Sequence, residues 1–283
     1  MPEKPSLLKR LEFIDRRWLF LALAGSIVLP LLFPIPLPLY VSPMVQDLYD
    51  AVEALPEGAI VLLSADYDPS GKPELEPFHV ALTHHLFRKN LRVVIVSLWP
   101  AAPPLTEIVM DRVGVETTYG KVYGVDYVNL GFKEGRQIVM KSMGSSIRNT
   151  FPTDRQGTLV TDLPLMEEVD SYDDVAMLIN ISAGSPGVKE YVQVVQSRWA
   201  VPMVGACTAV SGPDYVPYYK AVPQQLLGLS AGMKGAAEYE KLVGRPGEAM
   251  SGMAAQSASH LLLIAFIVFG NVMLYLSRRK GGA

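Results

Sequence analysis

Cysteine is nearly absent from this chain of 283 residues: Cys207 stands alone, which excludes an internal disulfide framework and leaves the redox compartment open. Charge is sparse as well. Lys and Arg number 25 against 28 Asp and Glu, for a formal net charge of -3. Because both terminal arms are basic, the middle of the chain is acidic, which argues against nucleic acid as a partner. Neither the G-x-G-x-x-G fingerprint nor the G-x-x-x-x-G-K-[ST] loop occurs, so the usual backbone cradles for dinucleotides and triphosphates are missing. No internal repeat or low-complexity tract is visible.

What the chain does carry is two long apolar runs. The first, Trp18 to Val41, is uncharged and about as long as a membrane-crossing helix requires. Pro30, Pro34, Pro36 and Pro38 interrupt its second half, so a regular helix is expected to end near Leu29 to Phe33 and an extended collar to follow. The second, His260 to Leu276, ends at Ser277-Arg278-Arg279-Lys280. Cations precede the first run, follow the second, and are absent between Arg17 and Lys72. By the positive-inside rule both termini are expected in the cytoplasm and the middle outside. A cleaved signal peptide shares the basic start and apolar core but would need a small-x-small cleavage site, which does not follow. The expected organisation is a cytoplasmic amphipathic lead-in (1–17), a first membrane segment (18–41), an α/β domain (44–243), a small-residue helix entering a second membrane segment (248–277) and a basic tail (278–283).

Within the domain, buried-type strands alternate with amphipathic helices. Ala59 to Ser64, Arg92 to Ser97, Val125 to Leu130, Val175 to Ile181 and Pro202 to Thr208 read as strands. Glu76 to Lys89, Leu105 to Val113, Pro186 to Trp199 and Gln224 to Val243 read as helices, while Gln137 to Ile147 is ambiguous. Continuous apolar strands with helical crossovers imply a mostly parallel sheet covered on both faces, a Rossmann-like or flavodoxin-like sandwich.

In such sheets ligands bind beyond the carboxyl ends of the strands. Three loops are nominated: Ser64 to Gly71, Ser182 to Gly187 and Cys207 to Gly212. Ser182, Gly184, Ser185, Gly187 and Thr208 are the candidate ligand-binding residues, with Ser185 as N-cap and Pro186 as first helical residue, so that free amides could hold a phosphate or carboxylate. Asp66 and Asp68 are the candidate catalytic pair. A strand ending in Asp-x-Asp resembles the first turn of the haloacid-dehalogenase phosphotransferases, which implies a nucleophile, an acid/base and Mg²⁺ between them. The resemblance covers this turn alone, and Asp173-Asp174 precede a strand where that family requires carboxylates after one. The alternative is a turn, since Asp-Pro-Ser-Gly is a strong type I signal.

His79, His84 and His85 share one expected helix, but offsets of five and one do not place ligands on a single face, so no metal site is expected. His85 follows the Phe78, Leu82 stripe and reads as hydrogen-bonded core. Cys207 has no evident base and reads as packing. The loop Arg148 to Arg155 is either a ligand lid or ordinary surface. Gly228, Gly232 and Ala236 recur every fourth residue, as do Ser251, Ala255 and Ser259, a spacing that lets helices approach closely.

The expected function is a non-catalytic scaffold or ligand-sensing subunit, outside the membrane and self-associating or bound to other membrane subunits through those small-residue faces. A metal-dependent hydrolase or transferase using Asp66 and Asp68, and a cytoplasm-facing nucleotide sensor, are the alternatives. The residues name no cofactor. The bilayer is the one partner they imply directly.

Overall fold

A computed structural model describes residues 15–33 and 38–281. Most of the expected lead-in, residues 34–37 of the collar and the last two residues of the tail lie outside them. Residues 39–250 form one compact unit, and the described residues on either side form another.

In the larger unit, runs of β-branched and aliphatic residues become strands because both of their faces are covered. Ile60–Asp66 (β1), Arg92–Ser97 (β2), Tyr127–Phe132 (β3), Met177–Ser182 (β4), Met203–Cys207 (β5) and Gly228–Ala231 (β6) form one sheet in the order β3-β2-β1-β4-β5-β6. Every pairing is parallel, with Leu62 opposite both Val94 and Leu178. β1 and β4 are entirely buried. Strand order reverses between them, which is the doubly wound, Rossmann-like arrangement.

Right-handed crossovers moving in opposite directions from that point put helices on opposite faces. Lys72–Arg88 and Ala102–Val113 follow β1 and β2, whereas Val188–Tyr191, continued by a π-turn over Val192–Gln196, and Gly212–Tyr219 follow β4 and β5. In chain order the helices used below are Arg16–Leu32 (α1), Pro43–Glu53 (α2), Lys72–Arg88 (α3), Ala102–Val113 (α4), Gln137–Met143 (α5), Val188–Tyr191 (α6), Gly212–Tyr219 (α7), Gly232–Val243 (α8) and Glu248–Gly281 (α9). The ambiguous segment is thus α5, whose Val139, Met140 and Met143 join the core.

Two expectations change here. The segment Gln224 to Val243 is not one helix: Gly228 lies in β6 and Gly232 begins α8 at φ +61. The every-fourth-residue spacing therefore does not run along one helix face, and the two glycines meet different neighbours inside the domain. A Cβ at Gly228 would lie 2.4 Å from the Leu48 backbone, where α2 crosses the strand, and one at Gly232 would lie 2.6 Å from Ala209. Ala236 is buried in α8.

The second change is at the N-terminus. α1 has 17 residues, roughly 25 Å at helical rise, against about 30 Å of hydrocarbon. Pro30 lies within its last turn. Among the described residues the helix long and apolar enough to cross a membrane is Glu248–Tyr275, of mean hydropathy 1.9. The first span, and with it the two-span topology, is not supported.

Candidate functional site

Beyond the carboxyl ends of β2, β3 and β4 the loops leave a cleft of about 520 Å³, lined by Leu98, Trp99, Pro100, Phe132, Glu134, Gly135, Arg136, Ser185 and Pro186. That volume is within the usual range for small-molecule sites, and the lining mixes apolar and polar surface in nearly equal share. The walls are tied to the sheet. Ser97 Oγ donates to the Trp99 carbonyl at 2.8 Å and accepts from its amide at 3.0 Å, Lys133 N donates to the Ser97 carbonyl at 3.0 Å, and Trp99 Nε1 donates to the Pro186 carbonyl at 2.9 Å.

Arg136 is the strained member. Its φ of 48° and ψ of -119° belong to the second position of a type II′ turn, a place that glycine ordinarily fills. The turn closes through the Ile138 amide and the Gly135 carbonyl at 2.9 Å. Such a backbone costs of order 1–3 kcal/mol and concentrates at functional sites. Chemically the cleft offers a guanidinium, the Glu134 carboxylate and the Ser185 hydroxyl. The last donates its proton to Glu190 Oε1 at 2.7 Å, so its oxygen is free to accept.

The residues nominated from sequence separate. Gly184 packs beneath the Trp99 ring and Ser185 lines the cleft. Ser182 is buried, and its Oγ accepts the Val188 amide at 3.1 Å. The N-cap of α6 is Gly187, not Ser185, because Pro186 lies before the helix rather than in it. Gly187 N donates to Glu190 Oε2 at 2.9 Å, so the chain's own carboxylate occupies the place expected for a bound anion. Thr208 stands apart from the cleft, with its Oγ1 3.3 Å from Ser211 Oγ.

Asp66 and Asp68 also part company. Asp68 is half-buried and forms the turn: its Oδ1 accepts from Ser70 N at 2.9 Å, Ser70 Oγ at 2.6 Å and Gly71 N at 3.3 Å. Asp66 is wholly buried behind the cleft wall. Its Oδ1 accepts from Leu98 N at 2.6 Å, and its Oδ2 accepts from Ser64 Oγ at 2.6 Å and Asn180 Nδ2 at 2.7 Å. Burial pushes its pKa up to about 7, with the hydrogen bonds from Ser64, Leu98 and Asn180 opposing the shift. Tyr191 extends this buried row, donating to Ser64 Oγ at 2.8 Å.

His79, His84 and His85 all lie on α3. His85 bridges Tyr239 and Glu53, each at 2.7 Å. Cys207 is buried and its thiol is pushed up to about 12, chiefly by burial. In the Arg148 to Arg155 loop, Phe151 is buried, Arg148 pairs with Asp170 at 3.2 Å and Arg155 pairs with Glu107. Ser251, Ala255 and Ser259 lie along α9, with Ala255 buried.

The cleft itself was not anticipated. The loops after β2 and β3 went unnominated, although Gly135 beside a cation, directly after an apolar strand, marks a turn of this kind.

No family model matches this chain, and no curated protein matches it. A solved structure of trehalose-6-phosphate synthase is similar, at 11% identity and a TM-score of 0.31, covering 91% of this chain and 48% of that one. The chain thus spans about half the length of that protein. The expected non-catalytic scaffold finds no support in this comparison, whose matched protein is a synthase. At this level the likeness assigns neither substrate nor residues.

Proposed function

We propose that residues 39–250 form the substrate-binding domain of an enzyme acting on a small molecule, with the substrate in the cleft beyond β2, β3 and β4, on a chain attached to a membrane through α9. The observation that carries this reading is the cleft's position and make-up. It opens at the carboxyl edge of a doubly wound sheet, where such folds take their ligands, and a strained arginine lines it. Strain of this kind persists where the surrounding structure holds it in place, and ligand sites are where it recurs.

The test is to incubate the full-length protein in detergent with a metabolite extract and follow the mixture by mass spectrometry, beside a Ser185→Trp variant that fills the cleft. At least one metabolite should be consumed by the wild type and spared by the variant. Equal consumption by both would place the chemistry elsewhere. A metabolite that binds but is never transformed would refute the enzymatic part.

A further inference from the structure

The arginines that follow β3 are unequal, and of Arg136, Arg148 and Arg155 it is Arg136 that lines the cleft. Arg148 and Arg155 each pair with a carboxylate, whereas the Arg136 guanidinium enters no ion pair or hydrogen bond among the described residues. It is nevertheless held at a defined place. The turn Gly135 to Ile138 fixes its backbone at a positive φ, and the Lys133 amide binds the approach to the end of β2. An unpaired cation on an anchored, strained turn is prepared for an anion from outside the chain.

The remaining lining restricts what that anion can be. Leu98, Trp99, Pro100, Phe132 and Pro186 make one part of the wall apolar and partly aromatic, which suits a flat body. Glu134 and the Ser185 oxygen are acceptors, so a ligand filling the cleft must bring a hydroxyl or N–H donor to them. Glu134 also disfavours a second anionic group beside it. The chain's other prepared anion position, at the start of α6, is already filled by Glu190.

Resting on the reading of the cleft as a substrate site, we propose that its occupant is a small organic anion: one carboxylate or phosphate ester held by Arg136, a flat apolar body against Trp99 and Phe132, and a donor group facing Glu134.

Calorimetric titration of the full-length protein in detergent tests this with hydroxynaphthoate, its neutral methyl ester and naphthyl phosphate. The acid should bind the wild type roughly ten- to hundredfold more tightly than the ester, the range expected of a charge-assisted contact. Arg136→Gly should reduce the acid to the ester's affinity and leave the ester unchanged. It should melt no lower than the wild type, because glycine accepts this backbone, and Arg136→Lys should recover part of the lost affinity. Equal binding of acid and ester, with both abolished by Ser185→Trp, would overturn the anion and keep the cleft. Acid binding that survives Ser185→Trp would overturn both. Failure of all three probes to bind the wild type would overturn the anion alone.

Discussion

On α3 the ionisable side chains sit between partners, whereas at the cleft they do not. His85 has both ring nitrogens engaged, by Glu53 and Tyr239, with Tyr49 stacked at 4.5 Å. Glu76, almost fully buried, lies 2.7 Å from Arg112 and 3.3 Å from Lys72. Glu240 follows the same pattern on α8, accepting the amides of Gly247, Ala249 and Met250 at 2.9–3.0 Å and so holding the start of α9. Among the described residues neither Glu76 oxygen accepts a hydrogen bond beyond these ion pairs, and His79 Nε2 has no hydrogen-bond partner; burial keeps the His79 ring neutral, holding its pKa down to about 3. At the carboxyl edge, Glu134 and Arg136 line one cleft, and among the described residues neither enters an ion pair. The difference teaches where to look for function: groups removed from water must be compensated within the fold, and those kept at an open cleft beside a strained backbone remain available.

Asp66 is the sharpest challenge to that division, being buried and hydrogen-bonded yet raised from 3.8 to about 7. The folded state therefore holds a proton that the unfolded chain releases. Its contribution to stability is full below pH 3.8 and is lost as pH rises through the window to about 7. Ser64, Asn180, Tyr191 and the Leu98 amide surround it, with no cation among them. The loss should be on the order of 4 kcal/mol across the window, and Asp66→Asn should flatten it. Urea melts at several pH values measure this. A wild-type profile already flat there would show Asp66 ionised and compensated, as the α3 groups are.

Glu240→Ala should cost on the order of 3 kcal/mol, because amides at a helix start lose their acceptor. A midpoint shift much smaller than this would mean water replaces the carboxylate easily. Gly228→Ala tests packing in the same closed part of the domain: the new Cβ must displace the Leu48 backbone, for about 1–3 kcal/mol. A neutral result in thermal melts would show α2 free to shift. The smallest effect belongs to the exposed turn, where Asp68→Ala should remove local hydrogen bonds at about 1 kcal/mol and leave cleft binding unchanged. Loss of binding in that variant would extend the functional region to the β1 loop.

Much of the architecture was legible in the residues. β1, β2, β4 and β5 were readable because both faces of a central parallel strand are buried and the apolar run is continuous. β6 was not. Its Leu226-Leu227-Gly228-Leu229 run is as compatible with a helix as with a strand, and the small-residue spacing tipped the reading toward helix. The deciding neighbours, β5 and Leu48, lie far away in sequence. At α6 the residue types were right but the register was off by two, since Pro186 precedes the N-cap.

By itself the sequence determined the class of the domain, the parallel sheet, the apolar helix near the C-terminus and the absence of familiar phosphate loops, because each depends on local composition and periodicity. Tertiary structure alone decided the cleft. Trp99, Arg136 and Ser185 come from three different crossovers, and only the strand order β3-β2-β1-β4 brings them to one edge. It also decided which charges are spent. Whether a carboxylate meets a cation, an amide or nothing depends on contacts between segments far apart in the chain, which local pattern does not encode.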